Sequence, residues 1–134
     1  MEREPLTWSD FKMMSTWLAE EIAGNYIMDK KSYKRQPPDA PYIFQYRRPI
    51  TLFREEKTIF AIFIRTLFFN FLKKGKTTGF DSKMLLRRIV HSTGLTGRYE
   101  DGEQLNALCS AFADEFPSFI RSLKDEGVTF DVAF

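Results

Sequence analysis

With one cysteine and one histidine in 134 residues, the sequence holds few of the side chains on which site chemistry is usually built. A lone Cys109 excludes an internal disulfide, and one Cys with one His cannot supply the ligands of a structural zinc site. No metal and no cofactor is expected. Cys109 and His91 are also the only residues that could form a thiol and imidazole pair, and neither has a nucleophile signature around it. Cys109 falls on the apolar stripe of a helical pattern, where free cysteine acts as a small hydrophobe, and His91 falls in a last helical turn, where a cation is favourable.

Long apolar runs are missing too. The most apolar stretch, Thr58 to Leu72, is shorter than the roughly 20 residues a membrane span needs, and Arg65 stands near its middle. The first residues, Met-Glu-Arg-Glu-Pro, lack the basic-then-apolar layout of a signal peptide. The expectation is a cytoplasmic, reduced protein with no membrane partner.

Catalytic and nucleotide motifs fail on inspection. Lys74-Gly-Lys-Thr-Thr-Gly79 invites comparison with a phosphate loop, but Asn70 occupies the position of its first glycine and a helical pattern precedes it in place of a strand. Ser9-Asp-Phe-Lys12 has the spacing of penicillin-recognising enzymes without their companion motifs. The carboxylate pairs Glu20-Glu21, Glu55-Glu56 and Asp114-Glu115 are adjacent on helical segments, so their side chains diverge. A helix-turn-helix needs about 3 to 4 residues between its helices, and the gap between the last two helical patterns is much longer. The chain reads as non-enzymatic.

What is present is a globular composition, 43% hydrophobic and 28% charged, with fourteen phenylalanines. That length fits one domain, residues 1–134, with an aromatic-rich core. The Thr58 to Leu72 run is too long for a buried strand. Glu55 and Glu56 precede it, Lys73, Lys74 and Lys76 follow, and Gly75 stands where a left-handed cap belongs. These features predict a helix over about 52–74, apolar nearly all round.

Trp8, Phe11, Met14, Leu18 and Ile22 recur at helical steps within 7–28, with Thr7 or Ser9 as cap. Leu85, Leu86, Ile89 and Val90 define a short helix to about His91, capped by Asp81 or Ser82, with Lys83, Arg87 and Arg88 outward. Leu105, Leu108, Cys109, Phe112 and Phe116 define a last helix from about 101 or 103. Pro117 is expected to interrupt it, with a second piece over 118–124. Two short runs alternate with a period of two, one from Tyr42 and one from Val128, and predict at most a minor two-stranded β-sheet of about 42–47 with 128–133. The fold class is therefore mainly α: a single small helical domain of four to five helices around a central hydrophobic helix.

Charge supplies the functional pointer. Through Arg98 there are 18 Lys and Arg against 10 Asp and Glu, and from Tyr99 onward 2 against 8. Within residues 30–98 the count is 16 against 4. Such a segment points to an anionic partner. The candidate contacts are Lys30, Lys31, Tyr33, Lys34, Arg35, Arg47 and Arg48, extended by Lys73, Lys74, Lys76, Lys83, Arg87 and Arg88 if the two helices that carry them lie side by side. Basic side chains attract phosphates and exposed tyrosines can stack bases. The expected function is association with nucleic acid through backbone contacts, without sequence specificity, as a small subunit or regulator of a nucleoprotein complex. The rival expectation is a protein-interaction module, such as an adaptor or an inhibitor encoded by a virus or mobile element. In the bland reading, Lys and Arg only solubilise an apolar core.

Overall fold

The computed structural model describes Pro5 and residues 7–22, 52–94, 103–125 and 127–130, with side chains in the first stretch through Ala19. Among them are four helices, α1 (Trp8–Ile22), α2 (Arg54–Lys74), α3 (Ser82–Thr93) and α4 (Glu103–Asp125), and no strand. The protein is mainly α. The expected pairing of 42–47 with 128–133 lies largely outside the described residues; within them, Phe130 occupies an isolated bridge position. The expected continuation of the first helix over 23–28 also lies outside them.

Each helix starts and stops for local reasons. Thr7 caps α1 reciprocally: its hydroxyl accepts from the Asp10 amide at 3.2 Å, while Asp10 Oδ2 accepts from the Thr7 amide at 2.8 Å. At α2 half of the same device operates, because the Glu56 carboxylate reaches back to the Phe53 amide at 3.0 Å but Phe53 has no side-chain acceptor to offer in return. Asp81 caps α3 by accepting from the Met84 amide at 3.0 Å. Gly75 closes α2 at φ 67°, its N–H donating to the Phe71 carbonyl at 2.8 Å, a left-handed backbone that glycine adopts without strain.

The proline expectation fails. α4 runs unbroken through Pro117. Its buried set, Leu105, Leu108, Cys109, Phe112, Ala113, Phe116, Phe119, Ile120 and Leu123, keeps helical phase on both sides of the proline. An interior proline costs about 3 kcal/mol through the missing amide and the crowded carbonyl one turn back. Full burial of Phe119, Ile120 and Leu123 is worth roughly 1.5–3 kcal/mol each. Packing therefore outweighs the local penalty, and no second helical piece forms.

α2 packs against α1, α3 and α4 in turn. Its residues Ile59, Phe60, Phe63, Ile64, Leu67 and Phe68 are completely shielded from solvent. Phe68 is the junction: its ring lies 4.5 Å from Phe11 of α1, and 5.4 and 5.8 Å from Phe116 and Phe119 of α4. Phe130 stacks on Phe11 at 5.7 Å and meets Phe71 edge-on at 5.1 Å, so the stretch after α4 folds back onto the α1–α2 side. α2 is not covered all round, however. Ile62, Thr66, Phe69, Asn70 and Lys73 retain exposure and trace one stripe along the helix, and all of these but Lys73 line one wall of the site described next. No helix among the described residues is long and apolar enough to cross a membrane.

Candidate nucleic-acid interface

α2 and α3 run together without closing on each other completely, leaving a groove of about 710 Å³ between the outer stripe of α2 and the near face of α3. Helical spacing explains the two walls. Ile62, Thr66, Phe69, Asn70 and Lys74 follow at three- and four-residue steps on α2, and Met84, Leu85, Arg88, Ile89 and Ser92 do so on α3. The turn between the helices closes one end with Lys76, Gly79 and Phe80.

Three of the sequence-derived candidates, Lys74, Lys76 and Arg88, line this groove. Lys73 stands beside it, exposed, with its ammonium 5.6 Å from the Phe69 ring centre. The Lys76 ammonium lies 5.0 Å from the Phe80 ring centre, within the range at which a cation is attracted to an aromatic face. Against these cations the lining offers one carboxylate, Asp81, whose Oδ1 accepts from the Met84 amide. The groove therefore carries a positive rim.

The remaining candidates divide. Arg87 is exposed on α3 next to Arg88 but does not line the groove. Lys83 turns to the other side of α3, into a cleft of about 640 Å³ that it shares with Asp81, Glu103 and Asp114. Two carboxylates of α4, Glu103 and Asp114, line the same cleft. Lys30, Lys31, Tyr33, Lys34, Arg35, Arg47 and Arg48 lie outside the described residues.

Sequence reasoning missed the apolar floor. Phe69 is 40% and Met84 49% exposed, unusual for residues this large. Ile62, Leu85 and Ile89 extend the floor. A helical wheel of α2 carried a signal for it, since Ile62 and Phe69 share a stripe with Thr66, Asn70 and Lys73. Their apolar character hid it.

A second cationic cleft, about 610 Å³, opens between α1 and α2 and is lined by Arg54, Lys57 and Arg65 with the hydroxyls of Thr16 and Thr58. Arg65 is half-buried there. Its Nε donates to Ser15 Oγ at 3.1 Å and Nη2 to Thr16 Oγ1 at 3.3 Å, and burial pushes the guanidinium pKa down. Deep burial would require a carboxylate and a wet edge would require none; the structure uses hydroxyl acceptors at a half-wet seam.

Cys109 has no exposed surface, and burial pushes its thiol pKa up, which keeps the sulfur protonated and away from solvent. His91 is exposed on α3. Among the described residues no group of His, Cys, Asp and Glu side chains is placed to hold a metal ion. No family model matches the chain, and no curated protein and no solved structure matches it either.

Proposed function

We propose that this chain is a non-enzymatic, cytoplasmic binding protein that associates with nucleic acid through a basic surface, by backbone contacts rather than sequence-specific ones, as a small subunit or regulator of a larger nucleoprotein complex. The observation that carries the reading is the convergence of Lys74, Lys76 and Arg88 on one groove whose lining contains a single carboxylate. Phosphates are the ligands such a rim attracts, and neutralising several of them releases counterions and makes binding strongly salt-dependent. The basic residues between Lys30 and Arg48 add their charge to this reading from the sequence alone. The helix α2 serves as the central scaffold, and the alternating runs 42–47 and 128–133 pair as a small sheet beside it, which the packing of Phe130 on Phe11 and Phe71 supports.

A second reading, a protein-interaction module such as an adaptor or inhibitor, is favoured by one observation: Phe69 and Met84 leave apolar surface open in the same groove.

The test is a salt-titrated gel shift with single- and double-stranded DNA and RNA. At about 50 mM salt the expected result is binding of at least one of the four, weakening linearly on a log–log plot as salt rises. Binding that is absent at low salt, or unaffected when Lys30, Lys31, Lys34, Arg35, Lys74, Lys76 and Arg88 are all changed to Ala, removes the nucleic-acid reading. Pull-down from a nuclease-treated lysate separates the second, since its partners must survive the nuclease.

A further inference from the structure

We propose that the α2–α3 groove is a seat for single-stranded nucleic acid, with unstacked bases on its apolar floor and the strand's phosphates on its cationic rim. The proposal rests on the nucleic-acid reading above and narrows it to one class of ligand at one place.

The floor and the rim have to be explained together. A duplex buries its base faces in its own stack and presents phosphates outward; it would satisfy Lys74, Lys76 and Arg88 and leave Phe69 and Met84 in water. A single strand carries its charge and its apolar faces on the same short unit, and proteins that bind single strands combine a basic track with platforms on which bases lie. This groove alternates the two within a few ångströms. Lys76, on the lining, stands over Phe80 at 5.0 Å, and Lys73, beside the groove, stands over Phe69 at 5.6 Å, a ring that also packs against Trp8 of α1 at 5.7 Å. An ammonium thus accompanies each aromatic ring, and a base stacking on that face takes the ammonium's place.

Polar groups between the apolar ones sharpen the choice. An amphipathic helix docking in a groove wants a continuous apolar trough, but here Thr66 and Asn70 interrupt it. Asn70 spends one N–H on the Thr66 carbonyl at 2.9 Å, and its amide oxygen and second N–H are not part of that bond. An amide that can both donate and accept matches the polar edge of a base, whose face would lie on the neighbouring Phe69.

The decisive measurement is fluorescence anisotropy on the full chain with three probes of equal length, about fifteen nucleotides: labelled oligothymidylate, an abasic strand with the same phosphates, and a duplex. Each stacked base is worth roughly 5- to 150-fold in affinity, so oligothymidylate is expected to bind at least about tenfold more tightly than the abasic strand and more tightly than the duplex. Met84→Ala, at an exposed position, should weaken oligothymidylate about threefold or more and leave the abasic strand unchanged; Arg88→Ala should weaken both. Equal affinity for oligothymidylate and the abasic strand overturns the proposal while the nucleic-acid reading stands. Failure of all three probes to bind overturns both. A synthetic acidic amphipathic helix that displaces oligothymidylate, and whose own binding Met84→Ala weakens, makes the groove a protein seat and also overturns it. Circular dichroism on each variant keeps loss of fold apart from loss of a contact.

Discussion

At the scale of single residues, the buried polar groups carry the sharpest consequences. Ser15 has no exposed surface, and its hydroxyl donates to the Lys12 carbonyl at 2.8 Å while accepting from Arg65 Nε. Ser15→Ala keeps the volume and removes the acceptor, leaving a half-buried guanidinium N–H unpaired, which costs about 1–3 kcal/mol. Arg65→Met removes the charge and its desolvation together. The double variant should therefore be less destabilised than the two single variants summed, and urea unfolding of the four proteins measures the difference. Cys109 gives a pH signature. Burial raises its folded pKa above the unfolded value, so its contribution to stability is fully present below the unfolded pKa and fades as pH rises past it. Above about pH 8.5, where an unfolded thiol ionises, stability should fall by up to ~1.4 kcal/mol per pH unit from this group alone, and Cys109→Ala should remove that slope. A maleimide should label Cys109 only after denaturant is added.

At the scale of elements, caps and periodicity were legible and proline was not. Thr7, Asp81 and Gly75 were readable as helix boundaries because a boundary depends on groups within one turn of it. The stripe from Leu105 to Phe116 gave the start and face of α4 for the same reason. Pro117 misled because the local rule has a rival several residues away: Phe119, Ile120 and Leu123 are buried only if the helix continues in phase. Whether that burial is available depends on where α2 lies, which no local window contains. The energetic reading makes Pro117→Ala a direct check. It restores an amide donor toward the Ala113 carbonyl and relieves the ring's crowding, against a small gain in unfolded-chain entropy. The expected outcome is a stabilisation of about 1–2 kcal/mol with an unchanged helical spectrum. A destabilised variant would mean that the core is fitted to a bend at Pro117. Phe68→Ala is the opposite kind of change, since that ring meets both Phe11 and Phe116; a loss of about 3–5 kcal/mol is expected, read as a lower thermal midpoint.

At the scale of the whole molecule, the sequence showed that its charge is lopsided but not which charges act together. Counting residues treats Lys74, Lys83 and Arg88 alike. Folding separates them: Lys74 and Arg88 both line the α2–α3 groove, whereas Lys83, on the other side of α3, shares its cleft with Glu103 and Asp114 from the acidic end of the chain. Part of the positive segment thus shares a cleft with carboxylates, whereas the lining of the α2–α3 groove holds one carboxylate and that of the α1–α2 cleft with Arg54, Lys57 and Arg65 holds none. The sequence could not show this, because the partition depends on the rotation of α3 about its axis relative to α4. It has a measurable consequence for any polyanion the protein binds. Each phosphate contact removed should lower the slope of log affinity against log salt by about one. Lys74→Ala, Lys76→Ala and Arg88→Ala are each expected to weaken binding about three- to tenfold at moderate salt and to reduce that slope. Lys83→Ala, which deletes the same formal charge, is expected to change affinity less than about twofold and to leave the slope intact. If all four substitutions act equally, binding follows net charge alone, and the groove has no special place in it.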